Sequence, residues 1–303
     1  MLPFARVSII GLGLIGSSLA RAIRAKMPTV HITGTDADPA VRERVRELDL
    51  VDDVADSPGA AVVDADLVVL AVPLGAFAAV GAEIAPELAA GTVVSDVGSA
   101  KQIVLDSLGP LLPETIHLIP AHPVAGTERS GPDAGFPTLF EGRWCIITPP
   151  SGADETAVAR LSEFWSRLGS KVDLMEPRHH DLVLAVTSHI PHLIAYSIVG
   201  TAADLEGVTR GEVIKYSAGG FRDFTRIAAS DPTMWRDVFL ANKEAVLEML
   251  QRFSEDLSHL QRAIRWDDGD TLFDLFSRTR TIRRSIVDQG QDDAAADFGR
   301  KHD

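Results

Sequence analysis

Several short polar clusters in the sequence hold the hydroxyl, imidazole and guanidinium groups that hydrogen-bond to ligands and bind anions. They are Asp96-Val-Gly-Ser-Ala-Lys101, His122-Pro-Val-Ala-Gly-Thr-Glu-Arg-Ser-Gly131, Ser188-His-Ile-Pro-His192 and Gly219-Gly-Phe-Arg-Asp-Phe-Thr-Arg226. Because the chain carries a formal net charge of −14, an anionic substrate needs local arginine or histidine, and the clusters hold both. Ser188 and His192 are four residues apart in an apolar helical run, so both side chains can face one ligand.

A glycine-rich segment near the N-terminus has the pattern of a dinucleotide-binding loop. Gly11-Leu-Gly-Leu-Ile-Gly16 follows the apolar run Arg6-Val-Ser-Ile-Ile10 and precedes the helix-like run Ser17-Ser-Leu-Ala-Arg-Ala-Ile-Arg24. In such a loop the first glycine permits a tight turn, the second lets the backbone approach a pyrophosphate, and the third lets the helix pack against the strand. The helix N-terminus then presents free N–H groups and a partial positive charge to the phosphates. The alternative is a glycine-rich turn that binds no ligand.

Asp36, the acid that follows the second predicted strand, favours a bound dinucleotide and indicates which dinucleotide binds. Asp36 lies twenty residues after Gly16, and no arginine or lysine follows until Arg42. A carboxylate there accepts hydrogen bonds from the adenosine ribose hydroxyls and repels a 2′-phosphate, which predicts NAD rather than NADP. The residues expected to contact the cofactor are Gly11, Gly13, Leu14, Ile15, Gly16, Asp36, Val72 and Pro73.

The first part of the chain alternates strand and helix signals. This alternation predicts an α/β domain with a Rossmann-type doubly wound parallel sheet over residues 1–176. The runs with strand character are Val7–Ile10, His31–Thr35, Asp66–Val72, Thr92–Asp96, His117–Ile119, Trp144–Thr148 and Lys171–Met175. The Asp96 and His122 clusters each come at or just past the end of such a run, where open α/β sheets place their ligands.

Residues 177–303 carry almost no strand signal and predict an all-α second domain. Arg178–Asp204 has the pattern of an apolar helix, and Asp231-Pro232 begins a helix that is expected to run to about Trp266. Apolar residues spread around much of that long helix, which favours a subunit interface. A last helix is expected from Gly269 to about Asp288, followed by a disordered acidic tail from about residue 289.

Composition narrows the class of protein. The acidic balance argues against nucleic-acid and anionic membrane surfaces. The single cysteine, Cys145, allows no internal disulfide and suits a reducing compartment. With neither a secretory signal nor an apolar stretch of membrane length recognised, a cytoplasmic protein is expected. His179 and His180 are adjacent and so point to different helix faces, and no further ligands have zinc spacing, so no metal site is predicted.

Together the motifs resemble the prephenate and arogenate dehydrogenase family of tyrosine biosynthesis. The segments that carry the resemblance, in family order, are Gly11–Gly16, the Ser99 motif, His122–Gly126, Ser188–His192, Gly219–Arg226 and Ser230–Arg236. The resemblance implies an NAD-dependent oxidative decarboxylation in which ring C4 of the substrate loses hydride and C1 loses CO2. It also implies that the helical second domain forms a homodimer.

The same resemblance assigns roles to individual residues. The catalytic pair is His122, the base that takes the hydrogen bond of the C4 hydroxyl, and Ser99, which holds that hydroxyl and the histidine in register. Arg226 binds a substrate carboxylate as a bidentate fork. Apart from the resemblance, the position of Glu128 soon after the His122 motif predicts that its carboxylate accepts the ammonium group of arogenate; the alternative is a solvated loop acid paired with Arg129. The substrate-binding residues expected are therefore Arg226, His192, Ser188, Gly219, Thr127 and Glu128.

Other interpretations stay open at this point. A β-hydroxyacid dehydrogenase has the same two-domain plan, but it relies on a helix lysine, and Arg178–Ser197 holds none. A catalytically inactive NAD-binding sensor is expected to have lost the second-site polar residues, which are present here. Individual residues also have structural alternatives: Arg226 could pair with Asp223 or Asp231 at the surface, and His192 could be a core histidine. Nothing in the sequence chooses between prephenate and arogenate.

Overall fold

The computed structural model describes residues 2–127, 129–209, 215–216 and 219–288. Within these, the chain forms two compact units. One comprises Met1–Leu193 with Ile227–Val246, and the other comprises Ile194–Arg226 with Leu247–Asp303. The first unit contains all of the strands of the described residues. Because the first unit extends to Leu193 and includes Ile227–Val246, it also contains helical segments that follow residue 176.

A parallel sheet forms the centre of the first unit. Its six strands are β1 Arg6–Ile10, β2 His31–Thr35, β3 Asp53–Val54, β4 Leu67–Leu70, β5 Val93–Asp96 and β6 His117–Leu118. They lie in the order β3-β2-β1-β4-β5-β6 and every neighbouring pair is parallel. Strands β4 and β5 are buried along their whole length, as expected where both faces of a parallel sheet are covered. The predicted doubly wound fold is confirmed, with β3 as a short edge strand that the sequence did not indicate.

Helices connect these strands. They are α1 Leu14–Lys26, α2 Pro39–Glu47, α3 Pro58–Ala61, α4 Phe77–Ile84 and α5 Gln102–Leu108. Helix α2 has the N-terminal signature of a side-chain cap followed by proline: the Asp38 carboxylate accepts the Ala40 backbone N–H. Because the strands are parallel, each loop that leads from a strand to its following helix lies at the carboxyl edge of the sheet.

A second, smaller sheet follows. Its strands are β7 Ala121–Pro123, β8 Trp144–Ile147 and β9 Lys171–Leu174, with α6 Glu155–Arg167 between the last two. Strand β7 is antiparallel to β8, and β8 is parallel to β9. The sequence predicted β8, β9 and α6 but placed His122 just past a strand of the main sheet. His122 does follow β6, which ends at Leu118, but it also lies within a strand that was not predicted: β7 is three residues long, ends in proline and pairs with β8.

The remaining helical segments follow residue 176. They are α7 Pro177–Leu184, a π-helical turn Ala185–His189, α8 Ile190–Thr209, α9 Gly219–Thr225, α10 Pro232–Ala241, α11 Lys243–Arg265 and α12 Gly269–Asp288. The helices predicted over Arg178–Asp204 and from Gly269 are confirmed. The tail predicted from about residue 289 lies outside the described residues.

The long helix predicted from Asp231 to Trp266 is divided in two at Asn242. This residue has φ −104° and ψ 35°, which leaves the helical region. Its side-chain amide donates to the backbone carbonyl of Asp181 at 2.7 Å. The break therefore lets a buried polar side chain satisfy a carbonyl of another helix, which an uninterrupted helix pattern does not reveal.

One helical stretch passes the length and composition test for a membrane span. Pro177–Leu205 has 29 residues and contains an 18-residue window with a mean hydropathy of 1.6, so the expectation that no apolar stretch reaches membrane length is wrong. The same stretch contains His180, Asp181 and His189, all buried. Asp181 accepts backbone N–H groups at the start of α5, so the beginning of the stretch packs against that helix.

Candidate active site

The glycine loop between β1 and α1 is shaped by close backbone contacts. Gly11 has φ 97°, and a Cβ there would lie 2.5 Å from the carbonyl oxygen of Ala71. A Cβ at Gly16 would collide with the carbonyl oxygen of Gly11, whereas the Cβ position of Gly13 is surrounded by open space. Helix α1 begins at Leu14, directly after that open position. A bulky pyrophosphate can therefore approach the Gly13 backbone and the N–H groups of the helix.

Asp36 follows β2 and is held by backbone N–H groups on both carboxylate oxygens. Leu12 N–H donates to Oδ2 at 2.8 Å, and Asp38 N–H donates to Oδ1 at 3.0 Å. The Arg42 guanidinium donates to the main-chain carbonyls of Asp36 and Ala37, at 2.7 and 3.3 Å. Arg42 is thus nearer to the acid than its place in the sequence suggests, although its guanidinium is engaged by main-chain carbonyls.

The remaining candidate cofactor residues flank the same loop. Val72 follows β4, and its Cγ1 lies 2.9 Å from the position that a Cβ on Gly11 would take. Pro73 is the next residue and is exposed, while Leu14 and Ile15 in the first turn of α1 are half-buried. The structure therefore brings these candidates to one edge of the sheet, at the carboxyl ends of β1, β2 and β4.

A buried ion pair anchors the next cluster. Lys101 and Asp96 are fully buried, and Nζ lies 2.5 Å from Asp96 Oδ2. Nζ also donates to the Ala121 carbonyl at 2.8 Å, and Asp96 Oδ1 accepts the Ala121 N–H at 3.2 Å. Burial lowers the pKa of Lys101 and raises that of Asp96, while their mutual attraction opposes both shifts. The pair ties the end of β5 to β7 one residue before His122.

His122 is the first member of a chain of three buried side chains. Its Nδ1 lies 2.9 Å from His180 Nε2, and His180 Nδ1 lies 2.9 Å from Asp181 Oδ1. The same Asp181 carboxylate accepts backbone N–H groups from Lys101 at 2.7 Å and Gln102 at 2.9 Å. Helix α7 therefore supplies the histidine that contacts His122 Nδ1 and the carboxylate that contacts this histidine.

The electrostatic surroundings keep these imidazoles neutral. Burial lowers the pKa of His122 well below its ordinary 6.5, and His180, Lys101 and His189 act in the same direction. Burial also lowers the pKa of His180, against the hydrogen bond to Asp181. The pKa of His189 falls to about 4, again because of burial, with Asp181 opposing the shift. A neutral imidazole retains a nitrogen lone pair that can accept a proton.

The third cluster lies on the π-helical turn and the start of α8, where such irregular turns often carry function. His192 Nδ1 donates to the Ser188 carbonyl at 2.9 Å, and the His192 ring stacks on Trp235 with centroids 3.6 Å apart. His189 points into the core beside Asn242, 3.1 Å from its amide nitrogen. The backbone of Ser99 raises the pKa of His189, which means that Ser99 lies next to this turn.

The remaining candidate substrate-binding residues are Thr127, Glu128, Gly219 and Arg226. Thr127 is exposed, and its hydroxyl accepts the Arg129 N–H at 3.2 Å. Gly219 begins α9, and Arg226 directly follows that helix; both belong to the second compact unit, and Arg226 is exposed. Glu128 lies outside the described residues. Within the described residues, no group of three or more histidine, cysteine or acidic side chains could hold a metal ion.

Sequence reasoning missed two residues that touch the predicted histidines. His180 was considered only as a metal ligand, and Trp235 only as part of a motif. His180 and His122 are 58 residues apart, so no local spacing signals their contact. Trp235 had a weak signal, since it follows the Asp231 cap within a predicted helix, but nothing in the pattern pairs it with His192.

Comparison with protein families accounts for most of the chain. The model described as prephenate dehydrogenase, nucleotide-binding domain, matches residues 19–174, and the model described as prephenate dehydrogenase, dimerization domain, matches residues 176–278. The chain belongs to the prephenate dehydrogenase family. The cyclohexadienyl dehydrogenase of Zymomonas mobilis is 44% identical to this chain, over 94% of this chain and 97% of the length of that protein. The prephenate dehydrogenase of Bacillus subtilis is 34% identical over 92% of this chain and 76% of its own.

Solved structures of the family have the same fold. The prephenate dehydrogenase of Aquifex aeolicus, in complex with hydroxyphenyl propionate and NAD+, aligns with TM-score 0.86 and 32% identity over 94% of this chain and 98% of that one. The Synechocystis arogenate dehydrogenase aligns with TM-score 0.78 and 26% identity over 93% of this chain and 99% of that one. The predicted resemblance is thereby confirmed across both halves of the protein.

Proposed function

We propose that the buried His122 is the base of an oxidative decarboxylation acting on prephenate, arogenate or both. The reaction class and the cofactor follow from the family: the protein is an NAD-dependent dehydrogenase of cyclohexadiene substrates. The products are 4-hydroxyphenylpyruvate from prephenate and tyrosine from arogenate. The single observation that carries the role of His122 is the 2.9 Å contact of its Nδ1 with His180 Nε2 in a buried site, which makes Nε2 the ring nitrogen for the substrate.

The residues at the carboxyl edge of the sheet fit NAD. The open position at Gly13 admits the pyrophosphate, and the fixed Asp36 carboxylate suits ribose hydroxyls. Leu14, Ile15 and Gly16 begin the helix that faces the phosphates, and Val72 and Pro73 border the loop. When bound, NAD supplies the hydride acceptor. The protein orients the substrate against the cofactor and excludes water from the site.

His122 and Ser99 would share the ring end of the substrate. The neutral imidazole accepts the C4 hydroxyl proton at Nε2 as that oxygen loses negative character, and returns it to the same oxygen once the ring becomes aromatic. Ser99, next to the turn that holds His189, holds the hydroxyl in register with the imidazole. General bases placed in this way contribute about 100- to 10,000-fold to rate.

The carboxylates of the substrate need cationic and N–H partners, since the chain is strongly acidic overall. Arg226 is assigned the bidentate contact with one carboxylate. Ser188 and His192 are assigned the other end, with the His192 ring fixed by its stacking on Trp235. Gly219 permits close approach of the backbone at the start of α9.

The side chain of the substrate distinguishes prephenate from arogenate by a keto group or an ammonium group. Thr127 and Glu128 follow His122 closely in the sequence, and a carboxylate at Glu128 suits the ammonium of arogenate. Both substrates are therefore expected to react, and replacing Glu128 with glutamine should lower the ratio of arogenate to prephenate turnover.

We also propose that the protein is a cytoplasmic homodimer with a cofactor domain over residues 1–176 and a dimerisation domain over residues 177–303. The family model for the second half is that of a dimerization domain, and α11 exposes apolar side chains such as Leu247, Leu257 and Ile264. Light scattering should give twice the 32.5 kDa chain mass. A monomer at micromolar concentration would contradict this assignment.

NADH absorbance tests the function directly. Prephenate, arogenate and 3-hydroxyisobutyrate are supplied in turn with NAD. Turnover of either of the first two, and not of the third, supports the proposal. Turnover of 3-hydroxyisobutyrate alone would favour a β-hydroxyacid dehydrogenase, and no turnover with any of them, despite NAD binding, would favour an inactive sensor.

A further inference from the structure

We infer that His180 and Asp181 are positioning residues that hold His122 in the tautomer with its proton on Nδ1 and its lone pair on Nε2. This inference rests on the proposed role of His122 as the base. It gives a function to the His179-His180-Asp181 motif, which sequence analysis had considered only as a possible metal site. Neither residue needs to touch the substrate, because both act through the His122 ring.

The direction of each hydrogen bond follows from the fixed donors around Asp181. Its carboxylate accepts the backbone N–H groups of Lys101 and Gln102, which can only donate. Oδ1 is also 2.9 Å from His180 Nδ1, so the proton of neutral His180 lies on Nδ1 and its Nε2 has a lone pair. His180 Nε2 is then the acceptor in the 2.9 Å contact with His122 Nδ1.

The hydrogen bond between His122 Nδ1 and His180 Nε2 therefore fixes the tautomer of His122. With Nδ1 donating to His180, the proton of neutral His122 is on Nδ1, and Nε2 is the atom able to accept. The opposite tautomer would place two lone pairs against each other in a buried contact and leave a hydrogen-bonding group unsatisfied. Full burial of His180 and near-full burial of Asp181 leave little water to replace either partner.

The same contacts stabilise His122 while it holds the substrate proton. When Nε2 gains that proton, the ring becomes cationic and its Nδ1–H donates more strongly to His180 Nε2. The Asp181 carboxylate, next along the chain, offsets the charge. The proton then returns to the ring oxygen as the bond to the leaving CO2 breaks, so the histidines end as they began and no further reactant is needed.

Substitutions at His180 separate this role from simple packing. His180→Leu keeps an apolar body but removes both hydrogen bonds, whereas His180→Gln offers a carbonyl toward His122 and an amide N–H toward Asp181. Asp181 itself is not the best target, because it also caps the start of α5. The exposed neighbour His179, replaced by leucine, is the matched control.

Two readouts are needed. The first is two-bond ¹H–¹⁵N correlation NMR of imidazole nitrogens in the full-length protein, with the His122 signals assigned by their loss in His122→Asn. Wild type should show the proton on Nδ1, and His180→Leu should shift His122 toward the Nε2-protonated form, while His180→Gln and His179→Leu should not. This readout needs no substrate, so it remains informative even if the proposed reaction is wrong.

The second readout is steady-state kinetics. A hydrogen bond to a group that becomes charged is worth about a 10- to 150-fold change, so kcat of His180→Leu should fall by about that factor with KM nearly unchanged. His180→Gln should recover most of the loss. An Nε2-protonated His122 in the wild type, or the same tautomer and kcat in His180→Leu as in the wild type, would overturn the inference.

Discussion

Replacing Lys101 with methionine should destabilise the protein by about 3–5 kcal/mol, because it leaves the Asp96 carboxylate buried without its cation. Both side chains have 0% exposure in the present structure. The Gly98 and Ala121 N–H groups still donate to the carboxylate after the change, but they carry no full charge. The Ala121 carbonyl also loses its donor, which adds to the cost.

A surface pair provides the matched control. Lys26 and Glu141 lie 2.7 Å apart, with 42% and 40% of their side chains exposed. Such pairs contribute about 0–1 kcal/mol, so Lys26→Met should change the free energy of unfolding by no more than that. Urea unfolding at pH 7, followed by circular dichroism, compares the two variants with the wild type.

The pH dependence of the difference sharpens the test. In Lys101→Met the folded-state pKa of Asp96 is raised further, because burial remains and the cation is gone. A group with a raised folded pKa gives its full stability below its unfolded pKa and loses it as the pH rises, so the penalty relative to wild type should shrink on acidification. A Lys101→Met variant as stable as Lys26→Met at pH 7 would refute the argument.

Three further predictions concern cofactor choice, substrate binding and acid stability. NAD should give a much higher kcat/KM than NADP, and Asp36→Ala should narrow the gap because it removes repulsion of the 2′-phosphate; equal efficiency in the wild type would contradict this. Arg226→Ala should raise the KM for prephenate by a factor corresponding to about 2–5 kcal/mol, while isothermal titration shows unchanged NAD affinity. The free energy of unfolding of the wild type should fall as the pH drops from 6.5 toward 4. Over this range the histidines of the unfolded chain become protonated, whereas the buried histidines of the folded protein stay neutral. His189, with a pKa of about 4, alone accounts for about 3 kcal/mol over that range, and a flat thermal stability profile between these pH values would exclude it.

The parts of the fold that sequence predicts best are those with local causes. The glycine loop, the acid at Asp36 and the strand β4 follow from short patterns whose backbone requirements are strict. Strand β7 was not predicted, because three residues ending in proline carry no periodicity and their pairing partner lies elsewhere in the chain.

In the site, too, the residues within local motifs could be predicted from the sequence, and the contacts between distant residues could not. His122 and His192 could be picked out from their motifs, and the structure adds what fixes each ring. His180 lies 58 residues from His122, and Asn242 lies 61 residues from Asp181, so only the fold brings them together. The helix break at Asn242 is likewise a tertiary effect: the propensity of the surrounding residues favours a continuous helix, and a buried carbonyl on another helix outweighs it.

The most direct test of the central claim is kcat of the His122→Asn enzyme. Asparagine can present an amide N–H to His180 in place of Nδ1–H, so the buried chain stays satisfied while the Nε2 acceptor is removed. With His179→Asn as the exposed control, kcat for prephenate or arogenate should fall by about 100- to 10,000-fold at little change in NAD affinity. A folded His122→Asn enzyme with kcat within a few-fold of wild type would mean that His122 is structural and that the base lies elsewhere.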